Sequence, residues 1–373
     1  METKVVKLNA GRIGAAEVRD AAALVDGGGL VAFPTETVYG IACRVERESL
    51  ARLDNLKGRT ADKHYTLHIG SSDAVDNYVP CIGLKARKLI NNAWPGPLTV
   101  VFELSDEDLE EQRGRLPQEV FESLYRDKSI GIRCPDNAIA AALLEQAVRP
   151  VVAPSANLTG SPPAVDAEQV FANMSGKIEM VLNGGECKHK ASSTVVKIGK
   201  KGVRVLRHGV YSRDQVNEMS QVRFLFVCTG NTCRSPMAEG IFRKYLAEKL
   251  SCNVDDLDDM GYKILSAGVS GSFGIPASPE AVKACAAEGI DITVHRNQGL
   301  SGELVVDSDF IFAMERMHVQ RIIALDPDAA NKCSLLAEPK GIPDPIGLPQ
   351  EYYDGCAKVI SAAVRKRIDE LGI

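Results

Sequence analysis

The sequence predicts an α/β protein of two domains, a twisted mixed sheet followed by a doubly wound parallel sheet. Three observations predict it. The chain has 373 residues, 45% of them apolar, which is longer than one average domain and enough for two cores. Short β-rich runs alternate with helix-like stretches along its whole length, the α/β pattern. The alternation also changes character midway: the later strands of the first half lie too close together for crossover helices, whereas beyond residue 221 strand and helix alternate regularly.

In the first half the strand candidates are LVAF at 30–33, YTLHI at 65–69, LTVVFEL at 98–104, SIGIRC at 129–134, PVVAP at 150–154, TVVKIG at 194–199 and VRVLR at 203–207. Helices are expected over Leu50, Leu53 and Leu56 and over DNAIAAALLEQA at 136–147. The polar passage HGVYSRDQVNEMSQ, 208–221, then interrupts the pattern. Domains are therefore expected at 1–211 and 222–373, with 212–221 as linker. The second domain reads strand (222–228), helix (236–250), strand (262–268), helix (278–289), strand (308–314), helix, strand and a long terminal helix. Such a sheet carries its chemistry at the strands' carboxyl ends.

Composition excludes several classes. The start, METKVVKLNAGR, has no apolar signal region, and no run approaches the ~20 apolar residues of a membrane helix. A cytoplasmic protein without a membrane partner is expected. The 10 cysteines are scattered without a CxxC pair, and the six histidines form no HExxH motif or His/Cys knuckle, so neither a disulfide scaffold nor a structural zinc site is expected. Residues 1–212 carry 27 Lys+Arg against 26 Asp+Glu, a net +1, and the remainder 17 against 23, a net −6. Neither balance suits a protein that grips nucleic acid by itself.

The stretch VCTGNTCRS, 227–235, follows the apolar run from Val222. It turns through Gly230 and Asn231, which tolerate left-handed backbone, and enters a helix at Ser235-Pro236. Convergent N–H groups in such a turn, reinforced by a helix amino-terminus, suit phosphate and favour a thiolate at Cys228. Arg234 can hold two phosphate oxygens, and Ser235 can donate to the sulfur. Cys81 to Arg87 has the same spacing but follows polar DNYVP, so Cys81 is read as structural. Asp344, in GIPDPIG, is the carboxyl group available to protonate a leaving group.

Residues 222–373 resemble the low-molecular-weight protein tyrosine phosphatase family through VCTGNTCRSPMAE, SAG at 266–268, DFIFAMERMH at 309–318 and Asp344-Pro345. The resemblance implies Cys228 as nucleophile, Arg234 as phosphate clamp, Asn231 and Ser235 as supports of loop and thiolate, and Asp344 as general acid. It implies for Cys233 a reversible disulfide with the nucleophile, against which stands a plain packing role. Thr232 stands as in the protein-arginine phosphatases of that family, where tyrosine-directed members have an aliphatic residue. The acid loop continues with Ile346 and Gly347 rather than paired aromatics. A phosphoprotein substrate, preferably phosphoarginine, and no cofactor are expected, with protein-tyrosine phosphatase as the alternative.

The first half has no GxxxxGK[ST] loop, and Gly27-Gly28-Gly29 precedes a strand. Its polar residues stand at strand ends: PTETVYG (34–40), KGR (57–59), GIRCP (131–135), APSAN (153–157), SST (192–194) and LRHG (206–209). Each has a plain reading; Thr35 and Thr37 alternate as in any strand, and Lys57-Gly58-Arg59 closes a helix. Together with WPGPLT (94–99) they resemble the threonylcarbamoyl-AMP synthase family, the YrdC-like domain, over about residues 10–210. That implies L-threonine, bicarbonate and ATP as substrates, Mg2+ brought with ATP, and a downstream tRNA-modifying threonylcarbamoyl transferase machinery. Lys57, Arg59 and Arg207 are then expected on bicarbonate and phosphates, Arg133 on the threonine carboxylate, and Thr35, Thr37, His68, Ser155, Asn157, Ser193 and Thr194 around amino acid and nucleotide. Lys63-His64-Tyr65 departs from the family pattern Asn/Lys-Pro-Leu. A non-catalytic nucleotide- or RNA-binding first domain is the alternative.

Overall fold

The structure, a computed structural model, describes residues 1–8, 15–58, 64–199, 202–271 and 273–372. They divide into two compact units, Met1–Ile82 with Ala86–Ser220, and Gly83–Lys85 with Gln221–Ile373. Most of the stretch read as a linker is helical, Arg213–Ser220.

The first unit has strands β1 (Lys4–Lys7), β2 (Val31–Phe33), β3 (Gly40–Arg44), β4 (Thr66–His68), β5 (Leu98–Glu103), β6 (Ser129–Arg133), β7 (Val151–Val152), β8 (Met180–Asn183), β9 (Thr194–Gly199) and β10 (Gly202–Arg207). They form one sheet in the order β1-β8-β2-β3-β7-β4-β6-β5-β9-β10. Parallel pairs such as β4/β6 and β5/β9 sit beside antiparallel ones such as β5/β6 and β9/β10, so the sheet is mixed, as its short connections require. Three strands lack a sequence signal. β1 is KVVK, β8 has four residues, and β3 leaves the polar PTETVYG motif without an intervening turn.

Burial explains the apolar runs. Ala32 and Ile41 enter one core cluster while Val31, Phe33 and Ala42 enter another, so the central strands are covered on both faces and show no polar alternation. The helix Arg47–Lys57 buries Leu50 and Leu53 and ends at Gly58, whose φ of 59° is the left-handed conformation that stops helices. Asn137 caps the helix Ala138–Gln146 by accepting from the N–H groups of Ile139 and Ala140, worth about 1 kcal/mol.

The second unit has β11 (Val222–Cys228), β12 (Tyr262–Gly268), β13 (Phe310–Ala313) and β14 (Cys333–Leu335), all parallel, in the order β12-β11-β13-β14. The chain leaves β11 for one neighbour and later returns to its other side. A crevice opens where the direction reverses, at the carboxyl end of β11, and Cys228 is its last residue. Among the described residues no helix is long and apolar enough to cross a membrane.

Candidate active sites

In the first unit the polar residues gather at one sheet edge around a cavity of about 320 Å³. Register places four of them in one row across neighbouring strands: Arg207 lies opposite Val195, Val195 opposite Thr99, Thr99 opposite Arg133, and Arg133 opposite His68. Residues in register share a face of the sheet. Arg207 reaches this row through a bulge between Val205 and Arg207, the irregularity that re-aims a side chain at a sheet edge. Its guanidinium is then held by the Ser193 carbonyl at 2.8 Å and hydroxyl at 3.1 Å.

Thr35, Lys57, His68, Arg133, Ser155, Ser193 and Arg207 line the cavity. Thr37, Asn157 and Thr194 lie behind it. Thr37 bonds Thr35 at 2.9 Å, Asn157 Oδ1 accepts from Ser155 at 2.5 Å, and Thr194 ties the backbone of Tyr211. Lys57 donates to the carbonyls of Ser155 and Asn157, so one residue both ends a helix and braces the PSAN loop. Burial, reinforced by the Arg133 cation, pushes His68 down to about 3; it is a neutral imidazole near pH 7. Arg59 and Lys63 lie outside the described residues. Of the departing segment, His64 lines the cavity and pairs with Asp127 at 3.1 Å, and Tyr65 is buried against Asp54.

The sequence reading missed Glu36. It is 3% exposed, and its carboxylate meets Arg133 Nη2 at 2.8 Å. The same nitrogen donates to Thr37 at 2.6 Å, while Arg133 Nε is buried with no hydrogen-bond partner. Arg133 thus already carries one carboxylate. A charged residue between two threonines at a strand end was the signal available. Thr66 also lines the cavity without having been singled out, and Thr99, the last residue of WPGPLT, lines it without having been named as a site residue.

In the second unit the loop after Cys228 is shaped by what surrounds it. Its carbonyls are tied in succession: Gly230 accepts from Asn297 Nδ2 at 3.1 Å, Asn231 from His295 Nε2 at 2.9 Å, and Thr232 from the Ser278 N–H at 2.8 Å. Each carbonyl is antiparallel to the next residue's N–H, so the N–H groups of Asn231, Thr232 and Cys233 face away from those partners, and Asn231 N donates to Cys228 Sγ at 3.2 Å. Asn231 sits at φ 55°, paid for by its amide, which donates to Ser235 at 2.9 Å and Ser266 at 2.8 Å and accepts from Gln298 N at 2.9 Å. Gly268 explains the SAG motif, because a Cβ there would come within 2.9 Å of the loop backbone.

Ser235 Oγ lies 3.0 Å from Cys228 Sγ. Receiving the Asn231 amide, the serine hydroxyl is left to donate to the sulfur. Arg234, 1% exposed, pairs with Asp344 and, at 3.1 Å, with Glu315. Its Nε is buried without a partner. Cys233 donates to Ser278 at 3.4 Å and lies 3.7 Å from the hydroxyls of Thr232 and Tyr353, so Tyr353 is a buried residue while Tyr352 is exposed. Sequence reasoning missed His295, Asn297 and Gln298, whose run HRNQ gives no spacing signal. Cys81 is exposed on a loop rather than packed.

Family models match both halves: Sua5/YciO/YrdC, described as "Telomere recombination", over residues 23–209, and low molecular weight phosphotyrosine protein phosphatase over 223–372. The chain is 32% identical to the threonylcarbamoyl-AMP synthase of Pyrococcus abyssi over 232 residues, 61% of this chain and 65% of that protein. It therefore spans just under two thirds of that relative's length. It is 34% identical to the low molecular weight protein-tyrosine-phosphatase Etp of Escherichia coli over 142 residues, 36% of this chain and 87% of Etp. A structure of P. abyssi Sua5 complexed with L-threonine aligns with a TM-score of 0.51 at 22% identity, covering 97% of this chain and 98% of that one, a likeness of fold. The chain belongs to the Sua5/YciO/YrdC family through its first unit and to the low-molecular-weight phosphatase family through its second.

Proposed function

We propose that the chain is a bifunctional enzyme, an L-threonylcarbamoyladenylate synthase joined to a phosphatase that works through a phosphocysteine. For the synthase, the carrying observation is the row of Arg207, Thr99, Arg133 and His68 beside Lys57 around one cavity. The reaction needs cations for phosphate and bicarbonate, hydroxyls for orientation, and no side-chain nucleophile. The threonine amine adds to bicarbonate with loss of water. An oxygen of the resulting carbamate then attacks the α-phosphorus of ATP, and pyrophosphate leaves. Among the described residues the cavity wall holds cations and hydroxyls and no carboxylate, and Mg2+ is proposed to arrive on the triphosphate. The product suits a downstream transferase acting on tRNA. Pyrophosphate release by the purified chain should require threonine, bicarbonate and ATP together; release without threonine would overturn the reading.

For the phosphatase, the carrying observation is the loop whose carbonyls are tied outward while the Asn231 N–H donates to Cys228 Sγ, beside the partnerless Nε of Arg234. Cys228 thiolate attacks phosphorus, Arg234 and the loop hold the equatorial oxygens, Asp344 protonates the departing atom, and water hydrolyses the phosphocysteine. Acid-quenched enzyme should carry phosphate on Cys228, and phosphate on Cys233 or Cys81 would refute it. The preferred substrate is proposed to be phosphoarginine, through the polar Thr232. Phosphotyrosine is the second reading, favoured by the 34% identity to the low molecular weight protein-tyrosine-phosphatase Etp.

A further inference from the structure

Behind the second loop lies a histidine to which the mechanism above gives no part. His318, in the first turn of the helix Arg316–Leu325, is fully buried. Its Nδ1 accepts from the backbone N–H of Glu315 at 3.1 Å, so that nitrogen carries no hydrogen. Burial and the Arg234 cation push its pKa down, against Glu315 and Asp344, which keeps the ring neutral with its hydrogen on Nε2. Nε2 lies 3.0 Å from Thr229 Oγ1 and must therefore donate to it.

The proton count at Thr229 follows. Its oxygen also accepts from Arg234 Nη2 at 3.2 Å, and a hydroxyl oxygen has two lone pairs. Both are filled, so Thr229 can use its own hydrogen only as a donor to something else. Thr229 is partly exposed, directly follows Cys228 and shares Arg234 Nη2 with Asp344. It stands where nucleophile, clamp and acid meet.

We propose that His318 is a positioning residue of the second site, which locks Thr229 as a brace for Arg234 and turns the threonine hydroxyl into a donor for a phosphoryl oxygen held over Cys228. The proposal rests on the phosphatase reading and deepens it. A valine at 229 keeps the shape and removes the donor. A leucine at 318 fills the space but cannot orient the hydroxyl, whereas a glutamine brings an amide N–H near the place of Nε2.

Binding of inorganic phosphate to the full chain, measured by calorimetry, tests this without turnover. Thr229→Val should weaken phosphate by about 3- to 10-fold, the loss of one hydrogen bond, and Thr229→Ser should stay within about twofold of wild type. His318→Leu should weaken it by a similar factor, His318→Gln should recover most of it, and Thr229→Val/His318→Leu should be no weaker than either alone, because the histidine acts through the hydroxyl. Unchanged affinity in Thr229→Val, additive losses in the double variant, or no phosphate binding by wild type would each overturn the proposal. If His318→Leu fails to fold, the Gln variant and the Thr229 pair decide. A wild type that binds phosphate but hydrolyses neither phosphoarginine nor phosphotyrosine peptides sinks the phosphatase reading instead.

Discussion

In the first unit the cavity is assembled from side chains supplied one or two at a time between residues 35 and 207, aligned by strand register. In the second, residues 228–234 supply the proposed nucleophile, a run of backbone N–H groups and the proposed clamp from one unbroken stretch of chain. The first arrangement makes the site inseparable from the sheet, because the residues that would hold substrate are also those that satisfy one another's buried charges. The second, on the proposed mechanism, separates the tasks: backbone shapes the anion site, and one thiol does the chemistry.

The sharpest test of that separation is Cys228→Ser. A serine hydroxyl is not ionised near pH 7, so phosphatase turnover should fall on the order of 10⁴-fold or more, while phosphate still binds the loop and threonine-dependent pyrophosphate release continues. Loss of the synthase activity in that variant would break the comparison.

Glu36→Gln should do the reverse. Glu36 and Arg133 are 2% and 7% exposed at their side chains, and breaking a buried pair by removing one charge costs about 3–5 kcal/mol. Calorimetry should show destabilised unfolding of the first unit, with phosphatase turnover intact. An unmoved transition would mean that Glu36 does not hold Arg133 for structural reasons and that the arginine is free for a substrate carboxylate.

Arg207→Ala comes next. It removes a cation while leaving the Ser193 backbone in place, and should lower threonine-dependent pyrophosphate release by about 10²- to 10³-fold, the usual effect of losing one electrostatic contact to a transition state. Arg207→Lys should recover only part, since a lysine cannot reproduce the planar fork held by the Ser193 carbonyl. Full activity in Arg207→Ala would remove it from the site.

The same contrast explains what could be read in advance. The second fold was legible because each strand and helix follows in order with its own apolar signature, and the loop because backbone sites demand particular residues at fixed positions, Gly230, Asn231 and Ser235. The first sheet was legible as α/β and mixed, but its strand order was not, since β3 also pairs with β7 and β8 pairs with β1 and β2, partners far away in sequence. Glu36 escaped because its meaning depends on Arg133, 97 residues later. His295 and Asn297 escaped for the same reason, as residues that act on the loop from outside.

The smallest expected effect concerns Thr232, the loop residue whose side chain is proposed to set the leaving-group preference. Thr232 is partly exposed, its carbonyl is fixed by the Ser278 N–H, and its hydroxyl lies 3.7 Å from Cys233 Sγ, beyond a firm hydrogen bond to anything but a sulfur. That leaves it available to a polar leaving group. A guanidinium carries N–H groups that need acceptors when drawn into a pocket, and a threonine hydroxyl supplies one; an isoleucine supplies none and leaves the donor unpaired. A phenol has no such need on its ring. Thr232→Ile should therefore cost about 1–3 kcal/mol on phosphoarginine peptides, one unpaired polar contact, and leave phosphotyrosine peptides equal or better. Because Thr232 contributes its N–H to the anion site whatever its side chain, inorganic phosphate should bind both forms alike. The ratio of kcat/KM for the two peptide classes is the measurement. A wild type that prefers phosphotyrosine, or a ratio that Thr232→Ile does not move, overturns the role of Thr232 and leaves the tyrosine phosphatase reading standing.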